Sequence, residues 1–209
     1  MSGKYSEALA AHIVASKPEA LNDVDRHEAK RALVNIVGCA LGGADHQAVD
    51  IAIGALGPFA GAPTSAVLGR KERFDPLFAS LINGISSHVH DFDDTTPSNY
   101  IHPTSPVASA LFAYASVNKV KGLDFLNAYV LGYETVTRIG NATYPAHYRR
   151  GWHSTGSIGV FGAAVAVGKL MNLDEVQMLN AIGLAATQGA GIRDNFGAMA
   201  KSFHPGRSA

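Results

Sequence analysis

Apolar positions recur with helical spacing along most of the chain and are separated by short polar stretches rich in Pro, Gly and His. Leu9, Ile13 and Val14 share one side of a helix predicted over 5–16, which Pro18 ends. A polar cap at Asn22 or Asp23 opens a second helix, reaching Gly42 or Gly43. Its first turns carry Asp25, Arg26, Glu28, Lys30 and Arg31, whereas 33–41 is apolar nearly all round apart from Asn35. That pattern predicts a helix entering the core end-first. A weaker helix follows over 47–56, then a loop over 58–70 with a short extended piece at 66–68. Asp75-Pro76 is a cap followed by proline at the first helical position and starts a helix over 77–90. Ser105-Pro106 repeats the device before 107–119, and Asp124 opens a helix to about Ala142. Helices over 156–170 and 174–187 complete the series, with loops predicted over 91–103 and 144–155 and no periodicity after Gly189. No period-two alternation or hairpin signal appears, so the predicted class is all-α, a helical bundle-like domain.

Composition narrows the function classes. The 209 residues hold 17 Lys+Arg against 17 Asp+Glu, which gives no electrostatic case for nucleic acid or an anionic membrane. Apolar residues are 47% and charged residues 16%, enough for a real core beneath a sparsely charged surface. With 22 Gly and 8% aromatic residues, closely packed helices are favoured. A single cysteine excludes a disulfide framework and a Cys-based zinc site, and Cys39 reads as a small buried residue. No signal peptide or spanning segment is apparent, leaving the cytoplasm as the expected location.

The groups capable of chemistry concentrate in three loops. The first runs from His88 through His90, Asp91, Asp93, Asp94, Thr95 and Thr96 to His102, Pro103, Thr104 and Ser105. Three carboxylates so close repel one another unless donors or cations compensate, which marks either a working cluster or a solvated acidic turn. The second holds Arg149, Arg150, Gly151, Trp152, His153, Ser154 and Thr155 just before a helix start; taken alone it reads first as Trp152 anchoring the loop in the core beside an exposed His153. The third brackets His204 between Lys201 and Arg207, two cations suited to a substrate with several carboxylates, or a solvated charge pair near a terminus.

Together these motifs resemble the MmgE/PrpD family. They are Asn83-Gly84, His88, Asp91-Phe92-Asp93-Asp94-Thr95, His102-Pro103, Gly132-Tyr133-Glu134 with Arg138, Gly151-Trp152-His153-Ser154-Thr155, and Lys201 with His204-Pro205-Gly206-Arg207. The resemblance spans essentially the whole chain. It implies a large all-helical domain and a smaller α+β lid domain with the active site between, the lid being absent from this chain. By the same resemblance, His102, His153 and Asp91 are the expected catalytic residues. Thr95 and Lys201 are expected to bind substrate, and Arg207 and His204 are added to that anion site.

The implied chemistry is cofactor-independent and metal-independent. A base and an acid move protons next to a carboxylate of a small polycarboxylate, such as a 2-methylcitrate-like acid, in a hydro-lyase, decarboxylase or epimerase reaction. Histidine titrates near neutrality, so His102 and His153 form the expected acid and base pair, with Asp91 orienting one of them. The resemblance further implies a homodimer. Family members are about twice this length, so residues 1–209 are expected to be part of the helical domain, with weak or absent turnover and exposed apolar surface favouring self-association. Two alternatives stand beside this reading. One is a metal-dependent helical hydrolase built on His88, His90 and Asp91, which the i, i+2 spacing of the histidines disfavours. The other is a non-catalytic helical interaction domain.

Overall fold

The computed structural model describes residues 3–209. The fold is all-α. Its helices are α1 (Gly3–Ala15), α2 (Asp23–Gly43), α3 (Gln47–Leu56), α4 (Pro76–His88), α5 (Thr104–Val117), α6 (Gly122–Thr143), α7 (Ala146–Arg149), α8 (Ser154–Leu170), α9 (Glu175–Ala186) and α10 (Phe203–Ser208). No helix among the described residues is long and apolar enough to cross a membrane.

Local chemistry explains the sharpest helix starts. Asn22 and Asp25 form a reciprocal capping box on α2, and Asp174 and Gln177 form another on α9. The Asp75 carboxylate accepts the backbone N–H groups of Leu77 and Phe78, with Pro76 at the first position of α4.

Several expected boundaries move. Helix α5 begins at Thr104 with Pro103 at its cap position, and α6 begins at Gly122, so Ser105 and Asp124 lie inside first turns and are not caps. The Ser105 hydroxyl is instead used in packing, against Ser87 Oγ at 2.8 Å and Gly84 O at 3.3 Å. A two-stranded antiparallel ladder joins β1 (Ser65–Ala66) to β2 (Arg73–Phe74), with Ser65 opposite Phe74. The extended piece expected at 66–68 meets this ladder at Ala66, while strands of two residues are too short to show alternation, which is why 73–74 left no signal. The loop over 144–155 contains the single turn of α7.

The apolar half of α2 does not plunge into the core. Only Ala29, Ile36, Ala40 and Gly43 are buried, at spacings that keep one stripe inward, while Val34 and Leu41 are exposed. Cys39 on the same helix is half-buried, not buried.

The main core joins Val107 and Leu111 of α5, Tyr129 and Val136 of α6, and Ile158 and Ala166 of α8. Short α10 wedges between α4 and α8. A glycine pair makes this wedge fit: a Cβ on Gly84 would lie 2.5 Å from Gly206 Cα and 2.8 Å from Gly206 N. The approach brings the third chemical loop against the first two.

Gly84→Ala is therefore expected to push α10 from α4 and to destabilise the chain by about 1–3 kcal/mol, through overpacking against backbone. Thermal unfolding followed by circular dichroism checks this, and an unchanged midpoint would contradict it.

Candidate active site

The end of α4 buries His88 completely. The chain then reverses at Asp91, which adopts φ 59°, a left-handed conformation uncommon for a residue with a side chain. The returning loop is pinned by Thr96 N–H to Ile101 O at 2.9 Å and by Asn99 Nδ2 to Asn141 Oδ1 on α6 at 2.8 Å. The backbone N–H of His102 donates to Thr155 Oγ1 at the start of α8, at 3.1 Å. These restraints set the His102 ring edge-on to His88, centroids 4.8 Å apart.

Buried Asp93 lies at the centre. Both its carboxylate oxygens are 2.9 Å from His88 Nδ1, and Oδ1 is 3.4 Å from His102 Nδ1. Burial alone would raise its pKa, but the hydrogen bonds from His102 and His88 outweigh burial and hold it well below the usual carboxylate range. Burial also works to lower His102, and the Asp93 hydrogen bond with the charges of Asp93 and Asp91 reverses it, leaving that imidazole raised.

On the other face of these rings, Asp91 Oδ1 is 3.8 Å from His88 Nε2, 3.5 Å from His102 Nε2 and 2.6 Å from the Lys201 ammonium. Against the upward push of burial, Lys201 keeps Asp91 lowered. Lys201 comes from a 3₁₀ turn over Met199–Lys201, just before α10.

A second pair adjoins the first. His153, at the cap position of α8, stacks on His88 with centroids 5.9 Å apart. Its Nδ1 lies 2.8 Å from His204 Nδ1, and Asn195 Nδ2 lies 3.0 Å from His204 Nε2. Burial, reinforced by His88, His204 and Lys201, pushes His153 down to about 2, so its ring stays neutral. Gly156 makes room for this contact, since a Cβ there would lie 2.7 Å from His204 Cβ.

Of the sequence candidates, Asp91, Thr95, His102, His153, Lys201 and His204 therefore gather in one connected cluster. The Thr95 hydroxyl lies 3.3 Å from His102 Nδ1. Arg207 does not join them: it lines an apolar groove of about 730 Å³ with Leu77, Ala110, Ala163 and Leu184. Its Nε and Nη2 are buried there without hydrogen-bond partners among the described residues. Trp152 is partly exposed and stacks on His147. Three residues of the cluster were not among the expected site residues: His88 and Asp93, named only as members of the first loop and its motif, and Asn195, which the sequence did not single out. Asp93 is one of three neighbouring carboxylates, and nothing local distinguishes the one that turns inward.

Ligand atoms of His88, Asp91, Asp93 and His102 all lie within 4.8 Å of one another, a donor set able to reach a divalent cation. The Lys201 ammonium already neutralises Asp91 there, and His88 Nε2 is sealed from solvent. His90 turns away, its Nε2 3.3 Å from Gly42 O, so of the expected His88, His90 and Asp91 set only His88 and Asp91 share the cluster.

Residues 7–209 match the family model described as the MmgE/PrpD N-terminal domain. The chain is 32% identical over 198 residues to the cis-aconitate decarboxylase-like protein oryM of Aspergillus oryzae, covering 91% of this chain and 41% of that protein. It is 31% identical over 150 residues to the cis-aconitate decarboxylase of Aspergillus terreus, covering 68% of this chain and 31% of the relative. Identity to the human cis-aconitate decarboxylase is 27% over 216 residues, covering 100% of this chain and 44% of the relative. The chain thus spans less than half the length of these relatives.

Asp94, next to the central carboxylate, faces the opposite way. Its Oδ2 accepts from the Thr104 hydroxyl at 2.8 Å and its Oδ1 is buried without a partner among the described residues. Burial first, then the nearby Asp93 charge, raises it to about 6. A carboxyl raised above its unfolded value of about 3.9 favours the fold below that value and costs stability as pH climbs through its folded pKa. Asp94→Asn is accordingly expected to stabilise the chain by about 1–2 kcal/mol at pH 8, with the gain gone by pH 4. Denaturant unfolding at both pH values checks this; a variant less stable than the parent at pH 8 contradicts it.

Proposed function

The chain belongs to the MmgE/PrpD family, and from that premise we propose that its site moves a proton beside a carboxylate of a small polycarboxylate, as a lyase acting on a cis-aconitate-like acid. The observation that carries the proposal is the meeting of the Lys201 ammonium, the His102 Nε2 face and Asp91 at one point above a buried carboxylate. An ammonium beside two imidazoles is a receptor for a substrate carboxylate, and Asp91 is the group that a bound carboxylate would displace from Lys201.

In the decarboxylase reading, the bond from carbon to one carboxylate breaks and carbon dioxide leaves. The electron pair stays on the remaining skeleton, spread over the adjacent double bond, and one proton is taken up at carbon. Protonated His102 delivers that proton from Nε2 and is recharged from solvent. Lys201 holds a second carboxylate, and Thr95, at His102 Nδ1, steadies the ring. The named relatives favour decarboxylation. Dehydration or epimerisation would use the same groups with a different placement of substrate.

The proposal extends to the assembly. Residues 1–209 are part of the family's helical domain, and the chain works as a homodimer, for which Val34, Leu41 and Ile51 offer exposed apolar contacts. The chain spans less than half the length of its relatives, so turnover by it alone is expected to be slow.

Concentrated protein incubated with cis-aconitate and followed by proton NMR tests the reading. The expected result is slow formation of a five-carbon dicarboxylate above the buffer control, reduced at least about 100-fold to the buffer level in His102→Ala and His153→Ala. Product at the buffer rate with the unaltered chain, or product undiminished in both variants, would contradict it.

A further inference from the structure

The two histidines at the centre of the cluster hold their second nitrogens against chemically opposite partners. Around His102 Nδ1 lie Asp93 Oδ1 at 3.4 Å, Asp93 O at 3.3 Å and the Thr95 hydroxyl at 3.3 Å. A carboxylate and a carbonyl accept only, so Nδ1 carries the hydrogen. In the neutral ring this leaves Nε2 as a lone pair, able to take or return a proton.

The partner chain of His153 runs the other way. Asn195 Nδ2 can only donate, so His204 Nε2 accepts from it at 3.0 Å. The neutral His204 ring must then carry its hydrogen on Nδ1 and donate it to His153 Nδ1 at 2.8 Å. His153 is thereby left with its hydrogen on Nε2, an atom with no partner among the described residues and not among the sealed polar atoms.

We propose that Asp93 and Asn195 are positioning residues that fix His102 and His153 in opposite tautomers, making His102 the proton carrier and His153 a neutral hydrogen-bond donor to the developing anion. His204 relays the Asn195 donor, and His88 braces Asp93 from its far side through Nδ1 at 2.9 Å. The roles rest on the lyase reading above; the tautomers rest on geometry alone. A neutral imidazole donor stabilises an anion formed during reaction without competing for the transferred proton.

The charges around both rings agree with this division. His102 faces Asp91 and Asp93, with Asp94 behind them on the same loop, His88 from α4 and Lys201 from the 3₁₀ turn. His153 faces His88, His204, Lys201 and His102, with Arg207 near His204 on α10. The carboxylates surround the ring that must charge, and the cationic or neutral bases surround the ring that must not.

The test labels histidine rings with ¹⁵N and reads each nitrogen by two-bond correlation spectra between pH 5 and 8, about the range in which histidine titrates. Expected are a protonated Nδ1 and a titrating Nε2 for His102, with a protonated Nε2, bare Nδ1 and no titration for His153. Asn195→Asp replaces the donor with an acceptor of the same shape and should reverse the relay, moving the His153 hydrogen to Nδ1. Asp93→Asn should lower the His102 titration midpoint at least about tenfold in proton affinity, and Asn195→Asp should slow the lyase reaction about 100-fold. A His153 hydrogen on Nδ1 in the unaltered chain, or a His153 pattern unmoved by Asn195→Asp in a folded protein, overturns the inference. If the ring states are as expected and no polycarboxylate is turned over, the lyase reading falls and the tautomer assignment stands.

Discussion

A carboxylate buried among helices is costly, and the arrangement of the whole site answers that cost at Asp93. Removing one partner from a buried charge is typically worth about 3–5 kcal/mol, so the two imidazole donors are as much structural as chemical. His88 reaches Asp93 from the end of α4, and His102 reaches it from the far end of the loop. Satisfying one charge thus fixes both ends of residues 88–102. The strained reversal at Asp91 is held between them, and it points a second carboxylate at Lys201. A loop that would otherwise cross the surface becomes a rigid support for His102.

Small residues let the remaining parts close on this centre. Gly84 and Gly206 allow α10 to lie against α4, and Gly156 allows His204 to reach His153. Larger side chains at these points would separate the helix ends and strand the third loop from the first two. Close contact is what requires glycine at these positions, whereas Gly38, Gly54, Gly122 and Gly183 have open space around them.

Elements whose cause is local were legible in the sequence. Asn22, Asp75 and Asp174 cap helices through bonds to residues two or three positions away, and those starts are where the sequence places them. Ser105 looks like a cap and is not one, because its hydroxyl bonds across to α4. The apolar half of α2 reads as core although Val34 and Leu41 face outward, since periodicity cannot say what covers a helix. The same limit divides the site. His102, His153, Lys201 and Asp91 announce themselves by type and motif. The neighbours Asp93 and Asp94 are alike in sequence, and only the fold turns one to the imidazoles and the other to Thr104. Arg207, matched by motif, is directed by α10 into the apolar groove. Asn195 acts through His204, a relation no spacing encodes.

Zero net charge therefore describes the chain poorly at the scale that matters, where one ammonium and four imidazoles crowd two carboxylates. The claim that this crowd is a receptor for a polycarboxylate is tested most directly by titrating tricarballylate, an unreactive tricarboxylate, into chain labelled at its lysine and histidine side chains. The expected result is a saturable shift of the Lys201 ammonium and the His102 ring, abolished in Lys201→Gln. Saturable binding that leaves both resonances unmoved, binding undiminished in Lys201→Gln, or no binding at all, would contradict it.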